Sequence, residues 1–490
     1  MAYTPGLVQS MANIRSVILD KHSNLFIFIS ILASFLLVTY RLVIKKSNHK
    51  LPDGPRPLPI IGNIHQILTQ RLMEVVHKWH QDYGTMVAFR YGQQQAISIS
   101  SFEIIQDLLV KRGAIYSSRP PFIIASRMSL GFNSAIMPYG KQWQSHHRIM
   151  SSFLDTTAVS RYRSLEDMES KQALAELLES NDFEASLSRL VELFPILDKL
   201  PSCLAPWKQF SGNVEREATE FHMKHFEIGK SAPTWNWVQN ALNSSAGSRV
   251  SSKELAYVIG TLQQAGFDAT LTILRLVTKT VVLHPHCLRE AQQELDRVVG
   301  PDRLPSFGDM PQLSYINAIL NEAMRWQTPI PFAIPRTTTQ DDEYKGYHIP
   351  SGTVIIPSVW TMMLNPEVFP DQDKFKPERW IENPNLDHSP FGFGRRICPG
   401  RHLGWDSVFI LTARLLWAYN ITHSYKDGKR IEVDPWDIEL TFTAAPGPFM
   451  ASFQVRGSKR QEIIEREWQN VSKDSAQILK EVRRKSEDRS

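Results

Sequence analysis

Ten residues constrain this chain more than any others. Residues 391–400 read FGFGRRICPG, with three glycines and a proline around Cys398. Such a run cannot sit inside a regular helix or a central strand, because glycine gives up too much backbone freedom and proline lacks the donor N–H. A helical pattern begins directly after it, over 401–419. A cysteine just before a helix N-terminus feels the positive end of the dipole and nearby N–H groups, both of which favour thiolate. The glycines allow close backbone approach to a flat ligand, and Arg395 and Arg396 can pair with carboxylates. A cysteine buried as ordinary core needs none of this. The segment reads as a cradle for a metal held by one thiolate.

The rest of the composition narrows the setting. The other two cysteines, Cys203 and Cys287, cannot build a disulfide framework, so the folded part is expected to face a reducing compartment. A net charge of +5 from 55 basic and 50 acidic residues is too balanced to argue for nucleic acid. At 490 residues and 42% hydrophobic, the chain predicts one large globular domain or two.

Residues 24–40 carry no charge, and Leu42, Val43 and Ile44 extend the apolar run past Arg41. About 20 apolar residues at 1.5 Å rise span a hydrocarbon layer of ~30 Å. The alternative is a cleaved leader, but the run is long for one and no small-residue cleavage site follows. Arg41, Lys45, Lys46 and Lys50 lie behind the segment and fewer basic residues in front. The positive-inside rule then orients the body of the chain toward the cytosol. The expected organisation is a lumenal start (1–23), a single transmembrane helix (24–44), a basic and proline-rich hinge (45–63), a catalytic domain (64–455) and a charged tail (456–490). The tail carries Ile464, Val471 and Ile478, with Trp468 and Val482, on one face of a helical pattern, and is expected to be a solvated appendage.

Within the body, 85–91 and 95–100 predict a strand pair around Gly92, and 344–356 predicts short strands. Helical spacing covers 101–112, a short helix around Trp143, pieces of 173–198, and 285–299 and 313–326. The longest pattern starts at Ser252, a candidate N-cap, and runs to Leu283 before His284-Pro285. Residues 365–390 are irregular. The fold class is mainly α with a minor β-sheet region.

The cysteine segment matches F-x-x-G-x-R-x-C-x-G through Phe391, Gly394, Arg396, Cys398 and Gly400. Five fixed positions arise by chance in such a chain with odds on the order of 10⁻⁴. On these residues the chain resembles the cytochrome P-450 family. The runs KRGAIYSSRPP, MPYGKQW, FPILDKLP and FGFGRRICPGRHL are similar to fungal microsomal enzymes related to O-methylsterigmatocystin oxidoreductase. Companion motifs follow in the family's order. Glu322 and Arg325 form E-x-x-R, and FKPERW supplies Arg379 for a Glu322–Arg325–Arg379 structural network. AGFDAT, with Ala265, Gly266, Asp268 and Thr270, resembles the oxygen-activation segment, except that Ala269 stands where the family has threonine. Trp143 resembles the W-x-x-x-R propionate contact, with His147 at the arginine position and Arg148 next, and Arg336 matches another propionate contact.

The resemblance implies the cytochrome P-450 fold, with a long central helix over a haem and the Cys398 thiolate loop beneath. It implies an iron protoporphyrin cofactor, O–O cleavage favoured by thiolate, and oxygen insertion into an apolar small molecule such as a terpenoid, polyketide or aromatic alkaloid. Phe122, Ile123, Ile124, Phe132, Phe267, Pro331, Phe332 and Ile334 lie in the segments that line the family's pocket, and the same residues also suit a plain core. No flavin, Fe–S or dinucleotide motif is present, so electrons are expected from a separate protein; for a membrane-anchored member the resemblance implies NADPH–cytochrome P-450 reductase, with cytochrome b5 left open. The implied location is the endoplasmic reticulum membrane, with membrane lipid as a partner. Ala269 keeps desaturation, cyclisation or rearrangement open. Between Ser186 and Pro201, after Leu190, the resemblance implies a further block of a few dozen residues, including a core helix, that this chain does not carry; the two readings open are a repacked core and an inactive haem-binding remnant.

Overall fold

The computed structural model describes residues 50–487, apart from 68–71, 177–205, 441–442 and 473, and upstream of these only Ser30 and Ser34. The expected anchor at 24–44 and the expected gap after Ser186 lie outside the described residues but for those two serines, both helical and exposed. No helix among the described residues is long and apolar enough to cross a membrane.

Among the described residues, nine helices matter for the site: α1 (Lys141–Leu154), α2 (Thr156–Glu176), α3 (Pro206–Ser231), α4 (Ser252–Leu283), α5 (Pro285–Val298), α6 (Ser314–Trp326), α7 (Arg401–Ala418), α8 (Ser458–Asn470) and α9 (Ser475–Glu487). The central helix α4 has the predicted bounds, but Ser251 caps it rather than Ser252, accepting from the Glu254 N–H at 3.2 Å. Proline at the first position of α5 ends α4 and starts the next helix, since its missing N–H is an orphan there in any case. The main core lies where α4, α5, α6 and α7 meet, around Leu276, Val277, Ile316, Phe409 and Trp417, all fully buried. Trp417 satisfies its indole N–H on the Gly300 carbonyl at 2.8 Å.

A four-stranded sheet flanks this core. β1 (Met86–Tyr91) and β2 (Gln94–Ile99) form the expected hairpin with Gly92 at φ 61°. β3 (Arg336–Thr337) and β4 (Val354–Pro357) complete the order β1-β2-β4-β3, with β2 and β4 parallel. A second hairpin, β5 (Ile438–Leu440) with β6 (Ala444–Pro446), packs on α4.

Three local expectations change. The helix over 101–112 is α-helical only at Phe102–Ile105 and continues as a π-helix over Gln106–Lys111. The short helix around Trp143 is the 14-residue α1. The tail is docked rather than solvated: Ile463 and Ile464 of α8 and Ile478 and Val482 of α9 are buried, Val482 fully, beside Ala158 and Tyr162 of α2. Arg456 and Arg460 fix the start of the tail on Asp296 of α5 at 2.7 and 2.5 Å.

Candidate active site

The loop before α7 places Cys398 three residues ahead of the helix. The Cys398 N–H donates to the Phe391 carbonyl at 2.8 Å, closing the loop, and the Arg401 guanidinium donates to the Cys398 carbonyl at 3.3 Å. The sequence predicts a lowered thiol pKa. Burial instead raises it, and outweighs the Gly400 N–H and the Arg401 charge, which both lower it. A metal cation reverses that balance, because a coordinating thiol is deprotonated outright. The glycines also divide their work differently from the expectation. Gly392, at φ 81°, faces open space. Gly394 has φ 52°, and a Cβ there would stand 2.2 Å from the Leu109 carbonyl oxygen. That glycine allows the close approach of the π-helix to the loop.

Three arginines converge beside the loop: Arg396 within it, Arg336 at the start of β3, and Arg119. Arg119 and Arg336 are buried. Arg396 donates to the carbonyls of Ser117, Ser134 and Met137. Arg119 donates to Ala135, Ile334 and Pro335. Arg336 donates to Leu109 and Phe393. All these acceptors are neutral, and among the described residues no carboxylate pairs with any of the three. Burial lowers all three pKa values, that of Arg396 to about 9 and that of Arg336 to about 10, and mutual repulsion lowers Arg119 and Arg396 further. Guanidinium keeps its proton, so the cluster holds positive charge that an anion would neutralise. Sequence reasoning missed Arg119, since SSRPP carries no spacing signal of its own.

Trp143 on α1 is buried, and the Arg396 guanidinium lies 4.3 Å over its ring. His147 stacks on the same tryptophan at 4.9 Å. Burial, then Arg396 and Arg401, lower the His147 pKa, so the imidazole brings no charge at neutral pH. Arg148 is exposed and folds back to the Gln144 carbonyl at 3.2 Å. The charge that the W-x-x-x-R position lacks is therefore present at Arg119. Trp143, His147, Arg148, Arg395 and Arg401 line an open groove of about 690 Å³ between α1 and the cysteine loop.

The central helix is opened at one level only. It is largely buried over 255–260 and 272–282, yet 263–268, which includes Ala265, Gly266, Phe267 and Asp268, is exposed throughout. Six consecutive residues exceed one helical turn, so every face is open there. A Cβ at Gly266 would meet nothing within 4 Å, and Phe267 is 69% exposed. Thr270 is half-buried. Among the pocket candidates, Ile124 is buried at 1% exposure, Phe332 packs toward the cluster of Trp79 and Val354, and Phe132 lies 5.8 Å from the Tyr257 ring. Phe122, Pro331 and Ile334 are buried or half-buried.

The remaining motif forms a closed network. Glu322 and Arg325 are fully buried and Arg379 nearly so. Arg325 grips Glu322 with two bonds of 2.8 Å, and Arg379 Nε lies 3.1 Å from it. The Trp380 indole and the Lys376 N–H fill the carboxylate's remaining sites at 2.9 Å each, neither foreseen from sequence. Arg325 also holds the carbonyls of Met363, Gln372 and Lys374. The network thus fixes the irregular segment leading toward the cysteine loop.

A long central helix opened beside a cysteine loop, with a buried E-x-x-R network behind it, is the arrangement of one family. The family model for Cytochrome P450 matches residues 52–202 and 156–450. The chain is 38% identical to the cytochrome P450 monooxygenase FrzL of Cladobotryum sp, over 90% of this chain and 94% of that protein. It is 35% identical to the cytochrome P450 monooxygenase peniB of Penicillium patulum, over 87% of this chain and 89% of that one. A zebra fish cytochrome P450 structure with abiraterone superposes with a TM-score of 0.66 at 21% identity, covering 79% of this chain and all of that chain. The chain belongs to the cytochrome P450 family and is a P450 monooxygenase of the fungal kind. The two family matches overlap over 156–202.

The family's cofactor is haem held by a cysteine thiolate, and the residues present fit it. The single thiolate stands in a glycine-bearing loop, the arginine cluster lacks the anions that two propionates would supply, and the helix turn at 263–268 is open.

Proposed function

We propose that this chain inserts one atom of O2 into an apolar small molecule within a fungal secondary-metabolite pathway, the substrate being of terpenoid, polyketide or aromatic alkaloid type. The observation that carries the reading is the uncompensated charge of Arg119, Arg336 and Arg396 beside the Cys398 loop. Bound haem supplies the oxygen-activating chemistry, with electron density pushed to its iron by thiolate. The chain's own residues do the rest. Cys398 is held by its N–H bond to Phe391, and the arginines orient the cofactor's carboxylates. Ala265 and Gly266 leave room on the central helix, and Asp268, exposed at the same level, is placed to move protons. With alanine at 269, Thr270 or a water stands in for the family's hydroxyl. Phe267 and its apolar neighbours favour a substrate that sheds water on entry.

The proposal includes a membrane anchor at 24–44, a cytosolic catalytic domain on the endoplasmic reticulum, and NADPH–cytochrome P-450 reductase as donor. The groove bearing Arg148, Arg395 and Arg401 suits an acidic partner surface.

The test is the absorption spectrum of the reduced protein under carbon monoxide. A strongly red-shifted Soret band is expected, and Cys398→Ala is expected to lose both the band and turnover. A Cys398→Ala protein that still oxidises substrate sinks the assignment. The all-round exposure at 263–268, with the doubly matched stretch 156–202, favours a second reading: a haem-binding protein without turnover. Red-shifted haem that yields no product with a reductase would select it.

A further inference from the structure

The helix behind the cysteine loop has least core where the loop joins it. Residues 408–410 and 412–418 of α7 are buried, whereas 401–405, the turn next to Cys398, are each half-buried. That turn leans on α2. The Arg163 guanidinium of α2 donates to Asp406 at 2.7 Å, and the Ser407 hydroxyl donates to Glu166 at 2.6 Å. Further along α7, Arg414 donates to the Asp167 carbonyl and the Ser170 hydroxyl at 2.9 and 2.7 Å, and pairs with the Asp167 carboxylate.

The end of the chain backs α2 along two routes. The first is apolar. Val482 of α9 is fully buried with Ala158 and Tyr162 of α2, and Trp235, Trp237 and Leu403 pack on the same cluster. The Trp237 indole N–H donates to the Tyr162 hydroxyl at 3.1 Å, so that ring is fixed by a polar bond as well as by packing. Leu403 stands five residues after Cys398. One small cluster thus joins the last helix of the chain to the first turn of α7. The second route is ionic. Glu467 of α8 lies 3.2 Å from Lys171 of α2, Lys171 lies 3.1 Å from Asp167, and Asp167 is the carboxylate that Arg414 holds. The Lys171 side chain is 14% exposed and that of Arg414 2%, so this run of charges is screened less than a surface pair. The family match ends at residue 450, so both tail helices lie beyond what the family model describes.

We propose that Val482 and Glu467 are positioning residues for the Cys398 thiolate. The docked tail backs α2, α2 holds α7, and a firm first turn of α7 keeps the sulfur on the haem iron. The inference rests on the haem-site reading above. Neither residue touches the cofactor or the cysteine loop. Both act through α2.

The test uses the full haem-loaded chain with Val482→Ala, Glu467→Gln and Val87→Ala. Val87 of β1 is as fully buried as Val482, in a cluster that shares no residue with this one, so it reports what the same truncation does elsewhere. Two rates are read. One is decay of the red-shifted Soret band of the reduced, carbon monoxide-treated protein, which reports thiolate on iron. The other is transfer of ferric haem to apomyoglobin. Val482→Ala is expected to quicken both about tenfold, and Glu467→Gln about threefold. Val87→Ala is expected to leave both within about twofold of wild type. Amide exchange over 404–407 is expected to quicken roughly tenfold in Val482→Ala and to keep its wild-type rate in Val87→Ala. Rates in Val482→Ala and Glu467→Gln no faster than in Val87→Ala overturn the proposal, as does unchanged exchange over 404–407. If Val482→Ala does not fold, Glu467→Gln decides alone. A wild-type chain that takes up no haem fails the underlying reading, and exchange over 404–407, which needs no haem, still decides the tail's hold on α7.

Discussion

Two groups of buried arginine sit on either side of the cysteine loop, and they are built on opposite plans. Arg325 and Arg379 close on the single carboxylate of Glu322, whose remaining acceptor sites are filled by Trp380 and Lys376. Arg119, Arg336 and Arg396 hydrogen-bond only to carbonyls among the described residues and repel one another. The first group is complete without a ligand, so its work is structural. The second is electrically unfinished, and that marks a binding site. Buried positive charge by itself says little; the presence or absence of its counter-ion separates scaffold from site.

The contrast is most exposed to refutation at Glu322. Glu322→Gln leaves two buried cations without their acid and is expected to cost roughly 3–5 kcal/mol, read by urea unfolding. A loss below about 1 kcal/mol would mean the closed group is not a scaffold. Next comes His388, half-buried beside Trp380 and near Arg325, with its pKa pushed down to about 3 by loss of solvent around the ring and then by Arg325. A depressed folded pKa means stability present above pH 6.5 and lost as pH falls toward 3. His388→Gln is expected to flatten that acid limb by a few kcal/mol, measured as unfolding free energy at about pH 7 and pH 4. If the limb keeps its slope, the imbalance lies elsewhere.

The open group answers differently. Arg119→Gln is expected to weaken haem uptake by the apoprotein about tenfold while costing the apoprotein no more than about 1 kcal/mol, because the variant also relieves repulsion. Equal losses in both measurements would make Arg119 another strut. The smallest effect is expected at Glu166 on α2, whose pKa burial raises to about 7 despite a 2.6 Å bond from Ser407 of α7. A raised folded pKa gives stability that is full below pH 4.5 and lost as pH rises through 7. Glu166→Gln is therefore expected to stabilise by about 1 kcal/mol at about pH 8 and by almost nothing below about pH 4.5. Thermal melts at the two pH values decide it.

What could be read from the sequence was what is local in it. The Cys398 loop, the bounds of α4 and the Glu322–Arg325 pair each rest on a few adjacent residues with a fixed spacing. Arg379 was legible because FKPERW is itself a compact run. Arg119 was not, because its meaning exists only once β3 and the cysteine loop arrive beside it from more than 200 residues away. Helix α2 was not foreseen, since its apolar positions do not fall on one clean stripe. The packing demand on Gly394 was hidden for the same reason: the carbonyl that forbids a side chain belongs to Leu109, far off in sequence. The tail was misjudged because charge dominates its composition, while four aliphatic side chains decide its placement.

The docked tail has a consequence for how the protein is made. Ala158 and Tyr162 of α2 leave the ribosome well before the residue packed against them, Val482, is made. That patch of interior stays uncovered over the whole intervening stretch of elongation. A stop codon between Arg456 and Val482 would spare every motif named here and still leave a nascent hydrophobic face for chaperones to hold.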